Sequence, residues 1–491
     1  MRNYLLLYIN GKEHRITGET AFISLSNYLR YGIGQPGTKI VCEEGDCGAC
    51  TVLIGKEHDG KLSYKPVNSC IQFLYQLDLC HIVTVEGLSE HGQLNTVQQA
   101  MVECHGAQCG YCTPGFVVAL SGLFNERSEH NADKASGNGC SQSLCSKDIK
   151  DALTGNLCRC TGYEPIIKAG LEASKQEFNK LSKLYPEKEI ASAFKALAPE
   201  AVKIEADKRT CFIPATIKEC VQFKADNKNT SIVCGGTDTG VSCNKRAFTP
   251  ETILSLSNVQ GMDKLEVKDS MLIVGGKVSL FDLEQFTKDV VPEFHQILNI
   301  FGSPQIKHAG TMAGNIANGS PIADTLPFLF VMNALIEFEG INGSRQLNIN
   351  ELYTGYKVLD MTPDEIIARI LIPLPAKGDI LRLYKVSRRK DLDISAFTAA
   401  IYMQTKDSSI SQVRIAYGGV AAKVVRMKET EAFLKGKNLT LDTMQEAGKI
   451  AKGEVKPITD VRGSADFRLQ LCENIMQKFY YEVAEPDLCP A

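Results

Sequence analysis

The sequence lacks the usual features of a secreted, membrane or nucleic-acid-binding protein. No apolar run among its 491 residues approaches the roughly 18 residues of a membrane span, and the first residues, MRNYLLLYINGKEH, turn polar too soon for a signal peptide. Lys and Arg number 54 against 57 Asp and Glu, so the net charge of −3 creates no basic field for nucleic acid or anionic lipid. We therefore predict a soluble cytoplasmic protein without nucleic-acid or membrane partners.

Recognisable hydrolytic sites are also missing. The eight histidines do not cluster, and no Ser/His/Asp or paired-carboxylate arrangement stands out. Cysteine, in contrast, is abundant: twelve of the 18 lie between Cys42 and Cys160, and eight of these form two closely spaced quartets. The cytosol keeps thiols reduced, and a chain long enough for about three or four domains needs no disulfides. We therefore expect metal ligands in the first third of the chain.

The first quartet has the C-x4-C-x2-C…C spacing of plant-type ferredoxins: Cys42, Cys47, Cys50 and Cys70. Three thiolates on one loop and a fourth from elsewhere can hold a two-iron cluster. Gly45 and Gly48 let the backbone turn tightly and bring N–H groups towards the cluster sulfurs. Four thiolates also suit zinc, but the usual pair of C-x2-C units is absent.

The second quartet combines a C-x2-C unit with a C-x-C unit: Cys109, Cys112, Cys158 and Cys160. Pro114 suits the first turn of a helix, so Cys112 should lie at a helix amino terminus, where partial positive charge stabilises a thiolate. The run Gly155-Asn156-Leu157 indicates a helix end before Cys158. This spacing is less specific than that of the first quartet, and spacing alone leaves zinc open.

Two glycine-rich stretches suit close contact with an extended polar cofactor. In Ser231–Gly240 a β-type run ends in small residues whose N–H groups can approach a pyrophosphate, although a tight turn without a ligand explains this stretch equally well. Phe301–Asp324 is rich in small and amide residues that a packed core would not select. Neither stretch is a G-x-G-x-x-G fingerprint, so an FAD site here requires a fold other than the Rossmann fold.

The motifs CEEGDCGACTV, QCGYCTPGF and GNLCRCTGYEPI, followed by a flavin-type region, resemble the iron–sulfur/FAD-binding subunit of xanthine dehydrogenases in the molybdenum hydroxylase family. The resemblance spans nearly the whole chain. It implies a [2Fe–2S] cluster in each quartet, with the plant-type cluster nearer the flavin and the helical one nearer molybdenum. The interval between Cys112 and Cys158 is longer than in relatives, and we expect its Cys140 and Cys145 to be loop thiols rather than ligands.

The chain is predicted to be a multidomain α+β protein. Strands are expected at Tyr4–Ile9 and Thr51–Ile54, and helices over 94–125 and 147–178, separated by a polar loop at Arg127–Ser146. The resemblance implies these domains: a β-grasp plant-type ferredoxin domain (1–90), a helical [2Fe–2S]-binding bundle (91–178), a linker (179–208), a vanillyl-alcohol-oxidase-like FAD-binding domain (209–376) and a small α+β C-terminal flavoprotein domain (377–491).

The resemblance also assigns flavin contacts. Phe301 is expected beside the isoalloxazine and Asp324 at an adenosine or ribitol hydroxyl, whereas Thr459–Arg468 is expected to be mainly structural. For Lys385, a solvated strand end is the simpler alternative. The expected FAD contacts are Ile232, Val233, Cys234, Gly235, Gly236, Thr237, Asp238, Phe301, Thr311, Gly314, Asn315, Ile316, Ser320, Asp324, Ile367 and Lys385.

Together these assignments imply an electron-transfer subunit. Electrons would pass from a partner's molybdenum site through the two clusters to FAD and on to NAD⁺, as hypoxanthine or xanthine is oxidised to urate. Because the sequence ends soon after the flavin region, the molybdenum cofactor is expected on a large subunit, in a heterotetramer or similar assembly. No catalytic residue is expected in this chain beyond the flavin. Alternatives are a hydroxylase subunit for another N-heterocycle or an aldehyde, and a non-catalytic scaffold with an empty flavin domain.

Overall fold

The computed structural model describes residues 1–89, 92–134, 144–407 and 409–486. Its strands, numbered in chain order, are β1 (Leu5–Ile9), β2 (Lys12–Ile16), β3 (Thr51–His58), β4 (Lys61–Asn68), β5 (Cys80–Val83), β6 (Val202–Ala206), β7 (Arg209–Ile213), β8 (Ser231–Val233), β9 (Thr252–Ser255), β10 (Leu265–Lys268), β11 (Met271–Gly275), β12 (Leu335–Gly340), β13 (Gly343–Asn348), β14 (Tyr353–Gly355), β15 (Val358–Leu359), β16 (Ile366–Pro373), β17 (Ile380–Val386), β18 (Phe397–Lys406), β19 (Ser409–Gly418) and β20 (Val425–Arg426).

The helices are numbered in the same way: α1 (Leu25–Asn27), α2 (Thr96–Glu103), α3 (Thr113–Lys134), α4 (Ser146–Leu153), α5 (Glu164–Ala173), α6 (Leu181–Leu184), α7 (Glu187–Leu197), α8 (Ile217–Asp226), α9 (Thr237–Lys245), α10 (Leu280–Thr287), α11 (Pro292–Asn299), α12 (Pro304–Ala309), α13 (Met312–Asn318), α14 (Leu326–Met332), α15 (Ile349–Leu352), α16 (Lys428–Leu434), α17 (Leu441–Gly453) and α18 (Ala465–Ala484). No helix in the described part of the chain is both long and apolar enough to cross a membrane.

The chain divides into two compact units. Unit 1 comprises Met1–Gln260 and Ser303–Gly310, and unit 2 comprises Gly261–Gly302 and Thr311–Ala491. The short segment Ser303–Gly310, which carries α12, therefore belongs to unit 1 although both of its flanks belong to unit 2.

Unit 1 begins with a five-stranded mixed sheet in the order β2-β1-β5-β3-β4, in which β1 pairs parallel to β5. Strand β1 confirms the predicted strand at Tyr4–Ile9. It is apolar on both faces because both are covered: Leu5 and Leu7 pack in one core cluster, and Leu6 packs in another. The second core also takes in the helices that follow, so sheet and helices share a buried layer.

Helices α2 to α5 form the next part of unit 1. The predicted loop at Arg127–Ser146 is wrong at its start, because α3 continues to Lys134. The residues after Arg127 are polar, but the first glycine is Gly137, and polarity without Gly or Pro does not end a helix. Cys140 lies outside the described residues.

The predicted linker at 179–208 contains ordered elements. Helix α7 buries Ile190 and Phe194 in the same core as α3, which gives this amphipathic helix a fixed position. Strand β6 then joins the four-stranded sheet β6-β7-β9-β8, in which β9 runs parallel to both β7 and β8.

Unit 2 contains two larger sheets. The first, β10-β11-β16-β12-β13, is antiparallel throughout. The second, β17-β18-β19-β20, is followed by α16 to α18, so the last part of the chain contains both strands and helices. Within the Thr459–Arg468 segment, buried Arg468 donates to the carbonyls of Ala396 and Ile458 and to Asp460, as a mainly structural role requires.

Candidate functional site

The first cysteine quartet lies on a tightly curled loop and on the turn after β4. The Sγ atom of Cys42 accepts hydrogen bonds from the backbone N–H groups of Glu44 (3.4 Å) and Cys47 (3.5 Å). Such N–H groups offset negative charge on a thiolate. Cys50 and Cys70 are each only 2% exposed. The loop therefore already directs backbone dipoles at sulfur and shields half of the quartet from water.

The four thiols of this quartet converge on one another. Hydrogen bonds from the Cys47 and Cys70 thiols lower the pKa of Cys42, and the bond from Cys70 lowers the pKa of Cys50. The same contacts, together with burial, raise the pKa values of Cys47 and Cys70. Sulfur atoms at hydrogen-bonding distance from one another form a thiol-only donor set, which is the set that [2Fe–2S] clusters use.

The second quartet pairs one cysteine from each of its two units. Cys112 immediately precedes α3, as predicted. Its thiol is hydrogen-bonded to that of Cys158, and the thiol of Cys109 is hydrogen-bonded to that of Cys160. Burial and the Cys158 contact raise the pKa of the Cys112 thiol to about 12. Burial is the largest single influence on Cys158 and raises the pKa of its thiol, but hydrogen bonds from Thr161, whose Oγ1 lies 3.2 Å from Sγ, from the Cys160 backbone and from Cys112 together lower it.

Each donor set consists of four free thiols. The eight quartet cysteines form no disulfide. A structural zinc ion takes four ligands, and each iron of a [2Fe–2S] cluster takes two thiolates from the protein, so both kinds of centre fit a set of four thiols.

Cys145 occupies a different setting from the quartets. It is exposed, and it caps the amino end of α4, where its backbone N–H donates to Asp148 (2.8 Å). This position is that of a surface thiol at a helix terminus. That Cys145 is not a metal ligand stays a prediction, and its position as the N-cap of α4 gives it a structural role instead.

The two quartet loops are in direct backbone contact. The N–H of Leu157, next to Cys158, donates to the carbonyl of Cys47 at 3.0 Å. Gly48, beside Cys47, packs against Gly155 so closely that a Cβ atom on Gly48 would lie 2.2 Å from the Gly155 carbonyl oxygen. Residues far apart in the sequence thus hold the quartets together, and sequence patterns did not reveal this contact.

The expected FAD contacts divide between the two units, and unit 1 holds Ile232–Asp238. This segment forms the end of β8, a turn and the start of α9, with Gly236 in the left-handed region at φ 67°. Gln72 donates to the carbonyl of Gly235 at 3.0 Å, and Gln76 donates to that of Cys234 at 3.3 Å. Two side chains from the segment between β4 and β5 thus anchor the turn through its carbonyl groups.

Gly235 has a structural role of its own. A Cβ atom at this position would lie 1.9 Å from the carbonyl oxygen of Ala309, which α12 holds in unit 1. The absence of a side chain is therefore required by protein packing, independently of any cofactor. This contact supports the tight-turn explanation of the stretch without excluding a bound pyrophosphate.

In unit 2, the Thr311–Ile316 contacts lie at the start of α13. The Oγ1 atom of Thr311 caps this helix by accepting from the N–H of Gly314 at 3.0 Å, and Asn315 accepts from the hydroxyl of Thr325 at 2.6 Å. Ile316 is fully buried in the core, as is most of Ile367 on β16, so both pack within the protein. Phe301 is half-buried beside the same core, and Ser320 lies between α13 and Asp324.

Asp324 and Lys385 form a buried ion pair. Their side chains are 5% and 2% exposed, and Nζ lies 2.5 Å from Oδ2. The other carboxylate oxygen accepts from the Ser395 hydroxyl. Lys385 itself is therefore buried, whereas Arg388, Arg389 and Lys390 of the charge run after β17 are exposed. An ion pair this dry persists only when both partners are present, because either one alone would be an uncompensated buried charge.

Three family models match successive parts of the chain. Residues 84–171 match the "[2Fe-2S] binding domain", residues 203–375 the "FAD binding domain in molybdopterin dehydrogenase", and residues 382–483 the "CO dehydrogenase flavoprotein C-terminal domain". A xanthine dehydrogenase of Oryza sativa subsp. japonica is 27% identical over 97% of this chain and 39% of its own length. Together these matches support an iron–sulfur and FAD-binding subunit of the molybdenum hydroxylase family.

The chain is also similar to proteins whose names indicate other substrates. Human aldehyde oxidase is 27% identical over 98% of the chain and 39% of its own length. The chain thus spans about two fifths of these curated relatives. Quinoline 2-oxidoreductase from Pseudomonas putida 86 shares the fold over 56% of this chain and 96% of that structure, with 24% identity and a TM-score of 0.52. A multidomain α+β fold with iron–sulfur, FAD-binding and C-terminal flavoprotein domains accounts for all of these matches.

Metal analysis provides the first test of the quartets. Purified protein is expected to contain about four iron atoms and as many labile sulfides, with little zinc. Cys47→Ser should remove one spectroscopically distinct cluster and leave the other, because the two thiol sets share no residue. Cys145→Ser and Cys140→Ser are the matched controls and should keep the full iron content. Two irons and one zinc per chain would assign the second quartet to zinc, and loss of iron from either control would show that the ligands are misassigned.

Proposed function

We propose that the chain is the electron-transfer subunit of a xanthine dehydrogenase-like molybdenum hydroxylase. It passes electrons from the molybdenum site of a large partner subunit to NAD⁺ while hypoxanthine or xanthine is oxidised to urate. When bound, two [2Fe–2S] clusters supply one-electron transfer, and FAD supplies the exchange between one- and two-electron couples. The first quartet, the second quartet and the sixteen expected FAD contacts named above are the residues that hold these groups.

The observation that carries this proposal is the joining of two thiol quartets within one compact unit. The first quartet is partly sealed, since Cys50 and Cys70 are buried, whereas Cys109 and Cys160 of the second quartet are exposed. An exposed thiol set can lie against a partner protein, and a buried one is screened from water and oxidants. The chain's own residues thus provide one protected and one accessible position, connected by backbone hydrogen bonding.

The proposal also includes the domain limits and folds, the assembly, the cellular location and the electron acceptor. The domain limits are those given above, and the order β2-β1-β5-β3-β4 with a parallel β1–β5 pair supports the β-grasp assignment of the first domain. The vanillyl-alcohol-oxidase-like fold of the FAD domain, the heterotetrameric assembly, the cytoplasmic location and NAD⁺ as acceptor rest on the family resemblance.

A second candidate is the same electron-transfer role in a hydroxylase for another N-heterocycle or an aldehyde. The similarity to human aldehyde oxidase and the shared fold of quinoline 2-oxidoreductase favour it. The substrate pocket would lie on the partner, so the residues of this chain are compatible with either substrate class. A non-catalytic scaffold without flavin remains the third alternative, and an absorbance spectrum with or without flavin bands separates it from the other two.

The proposal predicts that two activities can be separated. The isolated chain with FAD should reduce an artificial dye with NADH, because this step needs only the flavin and a nicotinamide pocket, and it should not oxidise xanthine. Addition of the co-purifying molybdenum-bearing chain should produce xanthine-dependent NAD⁺ reduction. Cys112→Ser should block that coupled reaction and spare the dye reduction.

Three results would revise this proposal in different ways. Xanthine oxidation by the isolated chain would show that the substrate site is not on a partner. FAD-loaded chain that never accepts electrons from NADH would exclude NAD⁺ as the acceptor. Coupled activity on quinolines or aldehydes, with none on xanthine, would favour the second candidate.

A further inference from the structure

A buried polar cluster occupies the junction between the two quartet loops. Asn156, which is 2% exposed, donates through Nδ2 to the carbonyl of Gly48 at 3.1 Å. Gly48 follows Cys47 of the first quartet, and Asn156 precedes Cys158 of the second by two positions. Thr51 completes this part of the cluster by donating its hydroxyl to the same Gly48 carbonyl at 2.6 Å. One carbonyl oxygen of the first loop is thus held by a side chain from each side of the junction.

The remaining member of the cluster comes from much further along the chain. Gln305, on α12, is 1% exposed, and its Nε2 donates to Asn156 Oδ1 at 2.8 Å and to Thr51 Oγ1 at 3.3 Å. Its Oε1 has no hydrogen-bond partner among the residues that the structure describes. A buried amide that leaves one polar atom unpaired carries a desolvation cost, which apolar side chains of similar size would avoid. The amide is therefore better explained by the orientation it imposes than by packing alone.

Helix α12 also rests directly on ligands of the first quartet. Ile306 packs in a small core cluster with Cys50, Cys70 and Ile71. The helix is fixed at its start by Ser303, whose Oγ accepts from the N–H of Ile306 at 3.2 Å, and near its end by His308, whose Nδ1 lies 2.9 Å from the carbonyl oxygen of Pro66. Adjacent residues of one short helix therefore contact the first quartet through Ile306 and the junction through Gln305.

The backbone at the junction leaves no free space for adjustment. A Cβ atom on Gly115, in the first turn of α3, would lie 2.2 Å from the Gly48 carbonyl oxygen, and one on Gly155 would lie 1.9 Å from Gln305 Oε1. Three glycines thus bring the loops and helix α3 into close contact, and the amides fix their relative orientation. Close-packed elements of this kind have discrete arrangements rather than a continuous range.

We propose that Gln305 and Asn156 are positioning residues that set the separation and relative orientation of the two cluster sites. This inference rests on the proposed function in one respect, namely that both quartets bind a [2Fe–2S] cluster. Gln305 acts through Asn156 and Thr51, and none of the three is a ligand.

The test is the magnetic interaction between the two clusters in full-length protein reduced with dithionite. Gln305→Met keeps the length of the side chain and removes both hydrogen bonds donated by Nε2. We expect normal iron content and both individual electron paramagnetic resonance signals, together with a clear change in the low-temperature splitting that each reduced cluster causes in the other. Electron transfer between the clusters should slow by about 10-fold, the lower end of the activity loss that follows when supporting contacts around a metal site are removed.

Gln98→Met is the matched control. The Gln98 side chain also makes two hydrogen bonds, since Oε1 accepts from the N–H of Asn95 and Nε2 donates to the carbonyl of Val85, but it lies on α2 outside the junction. It should leave the splitting unchanged. Thr51→Val is the second variant, in case Gln305→Met loses iron. It removes the hydroxyl at nearly constant shape and should alter the splitting in the same direction.

The outcomes separate the inference from the function on which it rests. Wild-type splitting in Gln305→Met, or in Thr51→Val if the first variant loses iron, would overturn the positioning role while leaving both clusters established. Wild-type protein with fewer than two [2Fe–2S] signals would instead overturn the proposed function itself. An altered splitting in Gln98→Met as well would show that any lost hydrogen bond in unit 1 has this effect, and would also overturn the specific role of Gln305.

Discussion

Replacement of Gly48 by alanine is expected to remove most of the bound iron. The residue has φ +70°, which costs an L-residue about 1 kcal/mol. In addition, the new Cβ would lie 2.2 Å from the Gly155 carbonyl oxygen and 2.9 Å from the Cα atom of Asn156. These are backbone atoms, so one loop must move. Movement of either loop displaces Cys47 or Cys158, and we expect most of the bound iron to be lost.

Gly162→Ala is the matched control for this prediction. Gly162 has the same φ of +70°, but no atom of the described residues lies within 4 Å of the place that its Cβ atom would take. It therefore carries the conformational cost without the collision, and its iron content and visible absorbance should stay close to those of the wild type. Full iron in Gly48→Ala would contradict the close contact of the two loops. Equal iron loss in both variants would assign the effect to backbone conformation alone.

Gly314→Leu is expected to abolish FAD binding while both clusters assemble. A Cβ atom at Gly314 would meet only Thr311 Oγ1 among the described atoms, at 3.1 Å, so the protein itself leaves room for a small side chain at this point of α13. If the flavin contacts the stretch as proposed, the leucine would occupy space that the cofactor requires. Flavin content, measured by absorbance and by fluorescence after denaturation, should fall to near zero with iron unchanged.

Gly453→Leu tests whether any helical glycine gives the same result. Gly453 ends α17, and a Cβ atom there would have no neighbour within 4 Å in the described part of the chain, so this variant should keep its FAD. Gly235 would be a poor probe, because a side chain there collides with the Ala309 backbone whether or not flavin is present. Full flavin content in Gly314→Leu would show that this stretch does not approach the cofactor.

Local sequence was sufficient to predict the helix start after Cys112, which follows from Pro114. Short spacings also group Cys42 with Cys47 and Cys50, whereas joining Cys109 and Cys112 to Cys158 and Cys160 as one cluster site rests on the family resemblance. Strand β1 was equally clear because its apolar run is continuous. Where the determining contacts are local, residue type and spacing carry the necessary information.

Contacts between distant residues were not predictable in this way. Gln305 lies 149 positions from Asn156, and Lys385 lies 61 positions from Asp324, so no periodicity or spacing connects either pair. Lys385 in particular stands before a charged run that favoured a solvated position, and only the fold shows that it is buried. The extension of α3 to Lys134 was missed for another reason, because polar residues are compatible with both helix and loop.

The assignment of Ser303–Gly310 to unit 1 affects the order in which the chain can complete its folding during synthesis. The protein emerges from the ribosome amino terminus first, so both quartets are available long before Gln305 and Ile306 have been made. The iron–sulfur unit therefore stays unfinished while residues 261–302, which belong to the other unit, are translated. A fragment ending at Gln260 would contain all eight quartet cysteines and would still lack α12, whose Ile306 packs against Cys50 and Cys70. Division of the chain at one position therefore cannot yield the two complete units, and neither unit can be replaced as one continuous segment by that of a relative.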